Sequence, residues 1–368
     1  MDVRVWRTMD PLIIAAMVGL ILLGLILIYS ASATGEWATG PLVDHPAVRQ
    51  AFYAGIGVVA LVLAMMLDYR LLGRAAPLLY AVAVIALVAV LVFGQETYGA
   101  KRWINLPFLQ FQPSELAKVV LIITLAKFFA DREGSVRSLR TLTLSLALAA
   151  VPIVLIFLQP DVGTMLVVCA IWIGMSLMSG IPVRYFGVLG VAGLVTLPLI
   201  YEFVLQDYQR ARIETFFDPE RDPLGRSYNL IQAEISIGSG GFFGKGLMAG
   251  TQTQLNYLRV QTTDFIFSVL GEELGFLGGV LLLALFAVIL LRAIGAAERA
   301  RDPFARLLVS GICIMILIQT TINIAVNTRL IPATGVPLPF ISAGGTSLIV
   351  LMVSIGLIES VAARRSRG

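Results

Sequence analysis

Histidine occurs once and cysteine twice in the 368 residues of this chain. With His45 as the only imidazole, serine–histidine–aspartate triads, H-E-x-x-H zinc sites and imidazole acid–base pairs are excluded. Cys169 and Cys313 each lie inside an apolar run, where a lone thiol behaves as a small hydrophobic group, so neither a disulfide framework nor thiol chemistry is implied. Charge is scarce as well: Asp, Glu, Lys and Arg make up 14% of the chain against 58% hydrophobic side chains, and the mean hydropathy is +0.89. That balance excludes an ordinary soluble globule and leaves an integral membrane protein. No repeat with a period of 20 to 50 residues stands out, and no low-complexity tract appears.

What is present is a succession of apolar runs. A hydrocarbon core of about 30 Å is crossed by roughly 20 apolar residues in helical form. Windows of that length fall near 11–30, 47–67, 75–94, 114–130, 142–158, 162–179, 183–204, 264–292, 304–327 and 342–362. The expectation is an all-α, polytopic membrane protein of ten transmembrane helices, one domain over residues 1–368, with a long extracytoplasmic connection, 205–263, between the seventh and eighth. Basic residues support that topology. Sixteen fall on one side, among them Arg70, Arg74, Arg132, Arg292 and Arg306, and four on the other, Arg49, Lys101, Arg102 and Arg329, once the long connection is set aside. Both termini are therefore expected on the cytoplasmic side of the cytoplasmic membrane. The net charge of +4 reflects this asymmetry, with some attraction to anionic membrane lipid, and does not point to nucleic acid. Ala31-Ser32-Ala33 imitates a processing site, but the apolar run before it is too long for a signal peptide and reads as a retained helix.

The long connection is rich in Tyr, Phe, Leu and Ile, which argues for order. In "SYNLIQAEISIG", Tyr228, Ile231 and Ile235 share one helical face while Asn229, Gln232 and Ser236 share another, as in a short interfacial helix. "DPERDPLG" before it is turn chemistry, and "GSGGFFGKG" after it reads as a glycine hinge. A phosphate-binding loop is excluded there, since Ser239 and Gly246 stand where that pattern needs Gly and Ser or Thr.

Ionisable groups inside a span cost at least ~2.5 kcal/mol each, so they mark cavities or pathways. In "QFQPSELAK", Pro113 suits a helix start, and Glu115 and Lys118 lie three residues apart on one face. They read as an ion pair, either walling a polar cavity or letting Lys118 snorkel to the outer surface. Asp161 in "LQPDVGT" sits at an outer turn, as a helix cap or a cavity group. The prolines and glycines of "IPATGVPLPFISAGGTS" predict a rigid non-helical outer segment beside Arg329, which serves as an anion contact or an interfacial anchor. "TTDFIFSVLGEELGF" opens the eighth span with Asp264 at its mouth and Glu272 and Glu273 about 12 Å deeper. Asp264 is a catalytic base or a helix cap. The glutamates read as partners for Lys118 or Arg329 before direct chemistry, and Gly275 with Gly279 as a close-packing pair.

In these blocks, with "KRWINLPFLQFQPSELAK" and "FFDPERDPLGRSYNLIQAEISIGSGGFFGKGLMAGTQTQL", the chain resembles the SEDS family of shape, elongation, division and sporulation proteins. The match runs in family order from residue 101 to residue 347. "GTQTQLNYL" and the short N-terminus resemble the rod-shape branch more than the division branch. The resemblance implies a peptidoglycan glycosyltransferase that polymerises lipid II on the outer face of the cytoplasmic membrane, partnered by a class B penicillin-binding protein, with Asp264 at the position of the family's essential aspartate. The chain departs from the family at Arg259, Val260, Gln261 and Thr262, where proline-glutamate and histidine-threonine are common, and at "SAGGTS", which lacks the usual tyrosine.

The chemistry so implied needs a base for the acceptor sugar hydroxyl and cations for the leaving undecaprenyl diphosphate. Lys101, Arg102 and Arg210 are the chosen diphosphate contacts, and Trp103 stacks on a sugar or anchors the interface. Glu115, Lys118, Asp161, Glu272 and Glu273 form the supporting polar set. No metal-ligand spacing appears and no cofactor is required, although a divalent cation is compatible with acids meeting a diphosphate. Two other classes share these residues, a flippase for lipid-linked precursors and a non-catalytic scaffold for the penicillin-binding protein.

Overall fold

The computed structural model describes residues 9–34, 40–97, 100–106, 109–218, 225 and 227–364. Its spans are α1 (Pro11–Ala31), α2 (Pro46–Met66), α3 (Tyr69–Phe93), α4 (Pro113–Ala130), α5 (Leu139–Leu158), α6 (Val162–Ser179) and α7 (Val183–Phe203). The long connection contributes α8 (Asp207–Phe217), α9 (Tyr228–Gly240) and α10 (Thr251–Gln254), and the spans α11 (Ile266–Glu298), α12 (Pro303–Asn327) and α13 (Gly345–Ala363) complete the chain. Nine of the ten long helices are apolar enough to cross a membrane by composition alone. The tenth, α4, carries Glu115, Lys118 and Lys127 and is instead wrapped by its neighbours, with residues buried on every side of it. Helix limits follow local chemistry: Pro11, Pro46, Pro113 and Pro303 occupy first turns, and Asp10, Asp68, Asp161 and Asp302 cap helix starts.

The expected all-α architecture holds with one small addition. Between α3 and α4 an antiparallel meander forms from β1 (Gln95–Thr97), β2 (Ala100–Leu106) and β3 (Leu109–Phe111), in that order. One hydrophobic cluster runs through the bundle and draws on every span except α7, which contributes only Tyr185, Phe186 and Leu189 at its edge. The stretch 190–200 of α7 is exposed throughout.

Kinks are completed by neighbours. Pro152 in α5 cannot donate to the carbonyl of Leu148, and the Tyr80 hydroxyl of α3 donates to it at 2.8 Å. The larger interruption is in α11, where Gly275 adopts φ 63°, ψ −158°. The glycine-rich segment that reads as a hinge is strapped onto this break. Lys245 N–H donates to Glu272 C=O at 3.0 Å and Gly246 N–H to Glu273 C=O at 3.0 Å. In return Phe276 N–H reaches Gly241 C=O at 2.9 Å and Leu277 N–H reaches Phe242 C=O at 3.2 Å. Backbone groups freed inside a membrane must be satisfied by protein, and here a second backbone does so. The hinge expectation is therefore corrected.

Two further expectations change for the same reason. The α9 helix lies against α11 and buries Leu230 together with Ala233, Ser236 and Gly240, three small residues that admit a close approach, while Ile235 is exposed. The apolar Tyr228–Ile231–Ile235 face is not the packed one. Gly279 has nothing within 4 Å of where a Cβ would stand, so it does not serve close packing, whereas a Cβ on Gly275 would meet the backbone of Gly241, Phe242 and Gly244.

Gly275→Ala should lower stability by about 2 kcal/mol or more, from left-handed strain and the clash with the strap. Gly279→Ala should leave it unchanged or slightly raised. Thermal unfolding in detergent compares the two, and equal effects would contradict the strap.

Candidate active site

The irregular outer segment and the start of α11 build the site together. Residues 260–265 form a turn leading into α11, and Thr262 and Thr263 are tied to the proline-rich segment. Ala343 N–H donates to Thr262 C=O at 2.9 Å, and Ser342 Oγ donates to Thr263 C=O at 2.6 Å. Gln50 of α2 secures that segment from behind: its Nε2 donates to Ser342 C=O at 3.1 Å and its Oε1 accepts from Gly344 N–H at 3.1 Å. Asp264 is half-buried within this turn. Its carbonyl accepts from Nδ2 of Asn323 at 3.1 Å and of Asn327 at 2.9 Å. Its carboxylate faces Gly335, which has φ 75°; a Cβ there would lie 3.7 Å from Oδ2.

Two guanidinium groups flank this carboxylate. Arg212 of α8 donates to Ala333 C=O at 3.4 Å, and Arg102 of β2 donates to Gln159 C=O at 3.3 Å and to Pro160 C=O. Arg102 also lies 3.9 Å from Asp161. Asp161 caps α6 through Thr164 N–H at 3.1 Å and accepts from Thr164 Oγ1 at 2.9 Å and Gln112 Nε2 at 3.2 Å. Burial pushes the Asp264 carboxyl above its ordinary value, with Asp161 adding to the rise. Arg212, Arg102 and the Thr263 hydroxyl oppose it. A carboxylate so placed is a stronger base than an exposed aspartate, and it is not the cap of α11, a position that Phe265 holds.

The remaining acids have other work. Glu115 and Lys118 pair at 2.8 Å, as expected, but at 3% and 2% side-chain exposure the lysine does not snorkel, because α4 is interior along its length. Glu272 and Glu273 bind neither Lys118 nor Arg329. Glu272 accepts from Lys245 Nζ at 2.8 Å, Thr251 Oγ1 at 3.3 Å, Gln252 N–H at 2.9 Å, and Thr253 N–H and Oγ1 at 3.1 and 2.8 Å. It is the anion at the head of α10, supplied through the glycine strap. Glu273 accepts from Ser30 Oγ of α1, and Arg329 pairs with Glu234 of α9 at 3.0 Å.

Of the other expected substrate contacts, Trp103 is half-buried in β2 opposite Gln95, and the Lys101 side chain lies outside the described residues. Arg210 donates to Glu202 C=O at 2.5 Å at the end of α7, with its head 5.9 Å from the Tyr201 ring centroid. Arg212, two residues on, is the α8 cation that reaches Asp264's surroundings, and sequence reading did not choose it. Among the described residues no group of three or more His, Cys, Asp or Glu side chains could hold a metal ion.

Ten long helices among the described residues, with a carboxylate flanked by two arginines where α11 begins, define an integral membrane protein with a polar site at one end of its bundle. Residues 10–367 match the family model described as cell cycle protein, that of FtsW, RodA and SpoVE, and the chain belongs to this family, the SEDS proteins. It is 37% identical to the peptidoglycan glycosyltransferase MrdB of Escherichia coli strain K12, over 97% of this chain and 94% of that protein. It is 38% identical to the stage V sporulation protein E of Bacillus subtilis strain 168, over 96% of each. Among solved structures, a chain described under structural coordination of polymerization and crosslinking by a peptidoglycan synthase complex superposes with a TM-score of 0.81 at 33% identity, covering 98% of this chain and 99% of that one. The rod shape determining protein RodA of Thermus thermophilus gives 0.72 at 30% identity, covering 99% of each.

Glu272→Ala strips α10 and Lys245 of their shared acceptor and should cost about 2 to 3 kcal/mol. Arg329→Ala breaks an exposed pair and should cost under about 1 kcal/mol. Unfolding of the purified variants measures both, and the reverse order would remove Glu272 from its structural role.

Proposed function

We propose that this protein polymerises lipid II into the glycan strands of peptidoglycan during cell elongation, at the outer face of the cytoplasmic membrane, with Asp264 as general base. The observation that carries the reading is the Asp264 carboxylate itself: outside the helix, raised in proton affinity by burial, and flanked by Arg102 and Arg212. The names of the relatives support the activity, and the structural relative from a peptidoglycan synthase complex supports partnership with a class B penicillin-binding transpeptidase. The basic loops lie at the end of the bundle opposite Asp264, and their excess of Lys and Arg supports a cytoplasmic location for that end and an outer one for Asp264.

The reaction follows from the groups present. The acceptor sugar hydroxyl gives its proton to Asp264 as its oxygen bonds to the anomeric carbon of the donor, and the bond from that carbon to the diphosphate oxygen breaks. Direct displacement inverts the anomeric carbon, and the electron pair leaves on undecaprenyl diphosphate, a good leaving group that needs no strong acid. Arg102 and Arg212 supply planar, permanently charged donors suited to a diphosphate. Residues 190–200 of α7, exposed throughout, support a lateral approach for a donor whose polyprenyl tail stays in the membrane.

Asp264→Asn should reduce strand synthesis from purified lipid II by about 10²- to 10⁴-fold without changing the melting temperature. Strands of ordinary length and rate would overturn the assignment, and labelled lipid II moved across vesicles without extension would identify a flippase.

Only the ionised carboxylate accepts a proton, so activity falls as pH drops through its pKa; burial sets that limb above the ordinary 3.8. Arg212→Ala removes a charge that favours the carboxylate and should move the limb further up, while Arg210→Ala should leave it in place. A pH–rate profile with both variants superposed on the parent would exclude Arg212 from the site.

A further inference from the structure

In a regular helix the carbonyl of residue 264 would accept from the N–H of residue 268. Here Ser268 N–H turns to Phe265 C=O at 3.0 Å, and the carbonyl of Asp264 is left to side chains. Asn323 and Asn327, one turn apart on α12, both donate to it. Each is 1% exposed, and each has a second attachment. Asn323 Nδ2 also donates to Val336 C=O at 2.9 Å, next to Gly335. Asn327 Oδ1 accepts from Ser268 N–H at 3.1 Å and Ser268 Oγ at 2.7 Å, and its Nδ2 donates to Asn323 C=O at 2.9 Å. The pair therefore joins three things: the backbone of residue 264, the first turn of α11, and the segment that the carboxylate faces. Buried carboxamides are costly unless satisfied, and these two are satisfied by converging on one peptide group.

We infer that Asn323 and Asn327 are positioning residues for Asp264, holding its backbone so that the carboxylate stands opposite Gly335 and between Arg102 and Arg212. This rests on Asp264 being the base. Neither asparagine reaches the carboxylate, so their contribution is to orientation. A reacting group displaced by about 1 Å can lose ~10²-fold in rate.

The test uses the full-length protein with purified lipid II. Asn323→Leu and Asn327→Leu keep the side-chain size and add no charge while removing the donors. The expected result for each is a fall in kcat of about 10- to 100-fold with KM changed less than about twofold. The acid limb of the pH–rate profile should also move down toward the ordinary aspartate value, as the released carboxylate gains water. The charged groups that face Asp264 and act on that limb are Arg212, Arg102 and Asp161, and none is altered by the substitutions. Asn323→Gln and Asn327→Gln keep the carboxamide on a longer arm and should recover part of kcat; if a leucine variant does not fold, the glutamine variant carries the same comparison of kcat, KM and limb. Folded variants with parental kcat and an unmoved acid limb overturn the inference, even if their melting temperature is lower. Asp264→Asn run alongside separates the two readings. An inactive Asp264→Asn with normal asparagine variants removes only the positioning role, whereas an active Asp264→Asn removes the base and the positioning role with it.

Discussion

A peptide carbonyl or amide freed within a membrane protein must find its partner in the protein, because the hydrocarbon offers none. The site depends on how that constraint is met at residue 264. The turn over residues 260–265 releases the Asp264 carbonyl from α11, and two asparagines from α12 receive it. The same solution recurs where α11 breaks at Gly275, with the backbone of residues 241–246 supplying the missing donors and acceptors. It recurs again at Pro152, where Tyr80 donates to the freed carbonyl. Irregular backbone is thus confined to places where another piece of chain completes it. The outer end of the bundle is rigid for that reason, although its sequence is rich in glycine and proline.

This rigidity separates acids bound up in packing from the acid proposed to react. Glu272 has every lone pair directed at a donor of the strap or of α10, and Asp161 is divided between its helix, Gln112 and Arg102. Glu115 is matched by Lys118 at close range in a buried setting. Each of these carboxylates is taken up by partners that hold backbone or a neighbouring side chain in place. At Asp264 the asparagine bonds fall on the carbonyl instead, so the residue is held firmly while burial keeps its carboxylate basic.

Much of the fold was legible because membrane thickness sets helix length. The ten apolar windows match the ten long helices to within a few residues, and Pro113 and Asp161 mark helix starts as their chemistry requires. Asp264 stood out because a carboxylate at the mouth of an apolar run has few cheap explanations. The partners of Glu272 and Glu273 were not legible, since Lys245 arrives from 27 residues away on a glycine segment whose order depends on a second backbone lying against it. A glycine run looks flexible in one dimension. The place of Arg212 beside Asp264, two residues on from Arg210, was not legible for a related reason. The two arginines lie about 200° apart on a helix, and α8 has no apolar stripe to fix which side faces the bundle. On α9 the packed face was carried by Ala233, Ser236 and Gly240, whose small size matters only once α11 is known to lie beside them.

The exposed stretch of α7 gives these features a direction. A donor whose tail remains in the membrane and whose diphosphate sits at its surface approaches from the side, which fits a stretch, 190–200, exposed along its whole length. The chain then returns through α8, which carries Arg212 to Ala333 and so to the segment facing Asp264. One connection therefore follows the exposed stretch at its start and brings a cation near Asp264 further on. The bond from Arg212 to Ala333 ties that connection to a segment that Gln50, Asn323 and Ser342 hold in place, so the cation near Asp264 is fixed by the same framework as the segment the carboxylate faces.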